Sequence, residues 1–166
     1  VGQALKAVRT NVIRLLEAEG IAHRVLQYEV DESALDAVTA AAKVGADPER
    51  VFKTLVASGG GTVHLVFCLP AVLDLDLRKA AAVSGCRKVE LIRPDGLSTL
   101  TGYVRGGCSP LAMKKAFPTF LEETAFLFDT ILISAGLRGV QVELAPSDLM
   151  ALGEKLLPRM ERAALS

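Results

Sequence analysis

The chain has 166 residues, 51% apolar and 23% charged, with 19 basic residues against 19 acidic ones. That length suits one domain with its own core, here expected over 1–166, and the composition excludes a disordered or fibrous chain. No apolar run reaches the roughly 20 residues that span a bilayer, and the balanced charge excludes a global basic footprint.

The opening "VGQALKAVRT" lacks the apolar core of a secretory signal, so a cytoplasmic protein with no membrane association is expected. "ALKAVRTNVIRLLEAEG" places Leu5, Val8, Val12, Leu15 and Leu16 on one helical stripe that stops at Gly20. "AHRVLQYEV" reads as a strand, and "ALDAVTAAAKVG" as a second helix ending near Gly45. Asp47-Pro48 then offers a cap and first-turn signal. "VFKTLVAS" and "TVHLVFCL" flank "GGG" at 59–61 as a hairpin. "LDLDL" at 73–77 reads as extended chain, with Asp74 and Asp76 on one face. It leads into a short helix, "DLRKAAAVSG", with Asp76 as N-cap and Gly85 as its stop.

"KVELI" reads as a strand and "RPDGLSTLTG" as turn-rich. "TFLEET", "TILISAG" and "VQVELA" read as three more strands, and "SDLMALGEKLL" as a closing helix capped by Ser147. Strands and helices do not alternate regularly, so the expected fold is α+β, with a mixed, mostly antiparallel, barrel-like sheet flanked by helices.

Cys68, Cys86 and Cys108 are odd in number and widely spaced, matching neither a disulfide framework nor a CxxC metal pair. Between Arg78 and Arg138 nine basic residues face five acidic ones, which permits a modest phosphate-binding face. The nucleotide-binding, zinc-protease and serine-hydrolase motifs are absent. His23 and His64 lie far apart, and His64 falls inside a strand as a structural imidazole. Asp74 and Asp76 could hold a metal, or simply form a solvated face running into a helix cap.

Lys53 shares a strand face with Val51, Leu55 and Ala57. A lysine in such a row either snorkels outward or meets an anion. "TGYVRGGCSP" at 101–110 and "SAGLRG" at 134–139 put glycine backbone where no side chain blocks a ligand. Such loops form anion nests and oxyanion holes, and they also form plain hairpin turns.

"VFKTLV" at 51–56, "TGYVRGGCSP" followed by "KK" at 114–115, and "ISAGLRG" at 133–139, in this order, resemble the YbaK/EbsC family of free-standing aminoacyl-tRNA editing proteins. The Cys-tRNA(Pro) deacylase branch is the nearest in pattern, and the resemblance runs from "YEVDE" to "ELAPSDL". It implies a compact α+β domain related to the editing domain of bacterial prolyl-tRNA synthetases. It also implies cleavage of the ester between a wrong amino acid and the tRNA 3′ end, without cofactor or metal. Implied partners are the acceptor end of misacylated tRNA and prolyl-tRNA synthetase.

Carried over by position, Lys53 becomes the essential lysine and Gly106 lies in the substrate loop. Tyr28, Thr54, Gly107, Ser134, Gly136 and Arg138 become substrate-binding positions. Relatives often carry an apolar residue in place of Cys108, a glycine in place of Ala112 and, in one branch, a carboxylate in place of Gln141. In the cysteine-specific branch the substrate thiol attacks its own ester, which suits a chain with no legible base, and Cys108 is then not the nucleophile. Water-driven deacylation of Ala-tRNA(Pro) or another misacylated tRNA, and a non-catalytic aminoacyl-tRNA or synthetase-binding module, are the alternatives.

Overall fold

Thr10 accepts a hydrogen bond from the Ile13 amide at 3.2 Å and so opens α1 (Asn11–Ala18), which buries Val12, Ile13 and Leu16. The computed structural model describes residues 8–166, so Leu5 of the expected stripe lies outside the described residues. After β1 (Arg24–Gln27), Asp36 caps α2 (Ala37–Val44), and Gly45 ends that helix at φ +70°. Asp47 accepts from the Glu49 amide at 2.9 Å but starts only a turn, so its cap signal opens no helix.

The hairpin is β2 (Phe52–Gly60) against β3 (Val63–Pro70), turning at Gly60 and Gly61, both at positive φ. Its register sets Lys53 opposite Leu69 and Thr54 opposite Cys68. The "LDLDL" segment is not a strand: Asp76 spends its carboxylate on the Arg78 and Lys79 amides, capping α3 (Leu77–Ser84).

β4 (Glu90–Leu91) is two residues long. The stretch expected as turns is instead α4 (Pro94–Thr101). Pro94 holds Arg93 extended and fits the first helical position, Asp95 complements the helix dipole, and Gly102 ends the helix at φ +81°. The letters that suggested turns are helix-boundary signals.

β5 (Thr119–Glu122), a 3-10 turn (Glu123–Leu127), β6 (Ile131–Leu137) and β7 (Val140–Leu144) follow. In α5 (Pro146–Leu156) the N-cap is Ala145, with no side-chain bond, because Pro146 takes the first helical position that Ser147 was expected to precede. A further strand, β8 (Met160–Ala163), escapes the pattern: its middle residues, Glu161 and Arg162, are both exposed.

The strands form two sheets, β1-β7-β6, wholly antiparallel, and β4-β2-β3-β5-β8, in which the β3–β5 and β5–β8 pairings are parallel. The fold is α+β and mixed, as expected, but the sheet does not close into a barrel. β4 and β8 remain the outer strands of the larger sheet, and the two sheets meet at a parallel bridge between Val51 and Leu132.

Phe52, Val56 and Val66 of the larger sheet share the main core with Ile131, Ile133 and Val142 of the smaller one, under α1 and α5. Each such side chain contributes about 1.5–3 kcal/mol when fully buried. A second cluster, with Phe67 and Phe120 stacked at 5.3 Å, lies under α3. Near the bridge, Arg50 donates to Glu143 at 2.7 Å and to the Thr130 carbonyl at 3.1 Å. These bonds tie the strand carrying Lys53 to the sheet carrying Ser134 and Gln141.

Candidate active site

Between the two sheets, roofed by α2 and α4, is a cavity of about 530 Å³. Val51, just before β2, and Ala57 within it end the apolar row and are buried, whereas Lys53 and Leu55 between them are half-buried and open onto this cavity. Lys53 Nζ makes one long hydrogen bond, 3.4 Å, to the Ala71 carbonyl. Burial pulls its pKa below the ordinary lysine range, and the charge of Asp74 opposes that shift. Among the described residues it joins no ion pair, so the ammonium retains donors for an anion.

The wall opposite β2 comes from Tyr28, just after β1, Ser134 of β6 and Gln141 of β7. Tyr28 is held by its amide, which donates to the Gly139 carbonyl at 2.9 Å. A Cβ on Gly139 would sit 2.8 Å from the Tyr28 carbonyl oxygen, so only glycine allows this approach. Ser134 Oγ accepts from the Gly136 amide at 3.1 Å, which fixes the hydroxyl at the β6 irregularity between Ser134 and Leu137.

The Arg105-Gly106 segment supplies the rim. Gly106, at φ +85°, faces the cavity, and a Cβ there would lie 3.4 Å from Leu35 Cβ. The Gly107 amide is spent on the Val104 carbonyl at 3.0 Å.

Lys53, Gly106, Tyr28, Thr54 and Ser134 therefore all line one cavity. Gly107, Gly136 and Arg138 do not, and each supports it from behind. A Cβ on Gly107 would press on the Arg138 amide at 3.1 Å, and one on Gly136 would meet Tyr103 at 2.9 Å. Arg138 donates to the Arg105 carbonyl at 2.7 Å and to Glu32 at 2.9 Å, pinning the glycine loop to the β6–β7 turn. Tyr103 donates to the Leu111 carbonyl at 2.5 Å.

Sequence reasoning missed the roof. Leu35, Ala37, Val38 and Ala40 come from α2 and the residue pair before it, and Pro94 and Leu97 come from α4. Asp36 also lines the cavity, and it is the one carboxylate among the described residues that does. Both of its oxygens are engaged by Thr39, at 2.8 Å each, and these bonds hold its pKa below the usual carboxylate range. It is an ionised helix cap, poorly suited to take a proton. Among the described residues no histidine lines the cavity.

Cys108 does line it, but at 8% exposure, and burial pushes its thiol up to about 12. Burial raises Cys68 to about 12 as well. Neither is a thiolate near neutral pH. Native-state alkylation with iodoacetamide near neutral pH should modify the part-exposed Cys86 first. Cys68 and Cys108 should lag by about 100-fold or more, as buried thiols do, read by peptide mass mapping. Labelling of Cys108 as fast as Cys86 would contradict the inert assignment.

A half-buried lysine, the Arg105-Gly106 rim and one carboxylate already engaged by its own helix line the cavity among the described residues. The chain belongs to the aminoacyl-tRNA editing domain family, whose model matches residues 31–152. A candidate Cys-tRNA(Pro)/Cys-tRNA(Cys) deacylase, EbsC of Enterococcus faecalis, is 42% identical over 144 residues, which cover 87% of this chain and 88% of that protein. The crystal structure of a candidate trans-editing enzyme for prolyl-tRNA synthetase superposes with a TM-score of 0.79 at 24% identity, covering 96% of this chain and 99% of that one. At that identity the superposition supports the fold.

Proposed function

We propose that the protein is a trans-editing deacylase that cleaves the aminoacyl ester of mischarged tRNA, with Cys-tRNA(Pro) as its preferred substrate. The observation that carries this reading is the cavity's lining: Lys53 and the Gly106 backbone, with no histidine and no unengaged carboxylate among the described residues. Editing is needed because one methylene gives only about 10–200-fold discrimination by binding.

The missing nucleophile is supplied by the substrate. The cysteine side-chain sulfur attacks its own ester carbonyl carbon and loses its proton. The carbon–oxygen ester bond breaks, and the 3′ oxygen leaves with a proton as the free hydroxyl of the tRNA. The amino acid departs as a four-membered cyclic thioester, which water opens. The protein orients the chain, excludes water and stabilises the oxyanion. Lys53 meets the acceptor-end phosphate or the developing oxyanion, and Gly106 lets the ester approach the backbone. Tyr28, Thr54 and Ser134 shape the acyl pocket, while Gly107, Gly136 and Arg138 act by holding the loop.

With 19 basic against 19 acidic residues, tRNA affinity is modest and salt-sensitive, and selection of tRNA(Pro) falls to a complex with prolyl-tRNA synthetase in the cytoplasm. Among the described residues no helix is long and apolar enough to cross a membrane. Incubation with tRNAs charged with Cys, Ala, Ser or Pro, following loss of the ester, tests the reading. Cys-tRNA should be cleared first and Pro-tRNA spared.

A further inference from the structure

Gln141 lies on the middle strand of the smaller sheet, between Leu26 of β1 and Ser134 of β6. Its residue exposure is 6%, and it lines the cavity. Its Oε1 is fully buried and has no hydrogen-bond partner. An acceptor taken out of water without a donor is costly, and folded proteins keep very few. Ser134 stands directly opposite in the register, so the two side chains leave the sheet on the same face. Gln141, which carries the unused amide oxygen, therefore lines the cavity beside Ser134, whose hydroxyl oxygen accepts a single protein bond, from Gly136.

We propose that Gln141 Oε1, with Ser134 Oγ, is a specificity subsite for the free α-ammonium of the aminoacyl group. This rests on the deacylase reading of the same cavity. An aminoacyl ester offers several donors, but the ammonium is the charged one, and charge-assisted bonds are the stronger. It also lies next to the carbonyl carbon, at the acyl end, away from the nucleotide. Lys53 stands on the other sheet, so the substrate's cation faces neutral acceptors and its oxyanion faces the lysine. The subsite admits aminoacyl-tRNA with a free amine and rejects N-acylated forms such as peptidyl-tRNA, in which the ammonium is replaced by a bulky neutral amide.

The test compares Cys-tRNA with 3-mercaptopropionyl-tRNA, which keeps the thiol, the ester and the ring size but lacks the ammonium. The wild-type protein should prefer Cys-tRNA in kcat/KM by about 10- to 100-fold, the range of a hydrogen bond to a charged group. Gln141→Met should lose most of that factor on Cys-tRNA and leave mercaptopropionyl-tRNA within about twofold. Its Tm should hold or rise, because a buried orphan acceptor is gone. Gln141→Leu repeats the test should the methionine variant fold poorly. Equal losses on both substrates, or no preference in the wild type, would overturn the proposal.

Amide-linked adenosine analogues of the same two acyl groups, titrated by calorimetry, read the subsite without turnover. A preference for the ammonium analogue in the wild type that is absent from Gln141→Met supports the subsite, and equal binding overturns it. The same preference with no ester cleavage would contradict the deacylase reading alone.

Discussion

Lys53→Ala is expected to lower kcat/KM on Cys-tRNA by about 100- to 1,000-fold, the cost of removing one preorganised electrostatic group from an active site. The melting temperature should change little. Lys53 makes only one long bond to Ala71 and is half-buried, so the fold gives up little when it goes. The kinetic split identifies what the ammonium meets. A phosphate contact raises KM and makes the salt dependence shallower by about 0.7 in the log–log slope for single-stranded RNA. An oxyanion contact lowers kcat and leaves that slope unchanged. A folded variant with near-normal turnover on Cys-tRNA would remove Lys53 from the site.

Gly106→Val should be the next most damaging change, lowering kcat/KM by about 100-fold or more, since small misplacements of an attacking geometry carry costs of that order. The position is at φ +85°, a region a β-branched residue does not tolerate, and a Cβ there already contacts Leu35 at 3.4 Å and Arg138 Cγ at 3.6 Å. Strain of about 1–3 kcal/mol follows, so stability falls together with activity. Gly106→Ala separates the two: it adds only the Cβ and should leave more fold than function. Normal turnover by a folded Gly106→Ala protein would make the loop a plain turn.

The fold was legible where a local rule acted alone. Asp76 as a cap, Gly45 and Gly85 as stops, and the triple-glycine hairpin all work through bonds a few residues long. α4 was misread because Pro94, Asp95 and Gly102 serve helix boundaries and turns alike, and Ser147 was misplaced as a cap because Pro146 holds the first helical position. β8 carries no alternation, since it is an outer strand paired on one side only, along β5.

The site divides in the same way. Lys53 and Gly106 stand out because each breaks a local expectation, a charge in an apolar row and a glycine pair beside arginine. The roof from α2 and α4 comes from contacts remote in sequence and leaves no local trace. Gly136 and Arg138 are distinctive in sequence because the structure behind the cavity needs them, for close packing on Tyr103 and for the bond to the Arg105 carbonyl.

The central claim is that the substrate provides the attacking group, and the rates on Cys-tRNA and Ser-tRNA within one single-turnover assay test it most directly. The two acyl groups differ by one atom, while a hydroxyl is a far weaker nucleophile than a thiol near neutral pH. After subtraction of spontaneous hydrolysis, the account predicts Ser-tRNA cleavage slower by about 100-fold or more, with Cys108→Ala retaining most of the wild-type rate on Cys-tRNA. Equal rates on the two substrates would put the attack on a bound water, and a dead Cys108→Ala protein would put it on the enzyme's own thiol; either result would contradict the account.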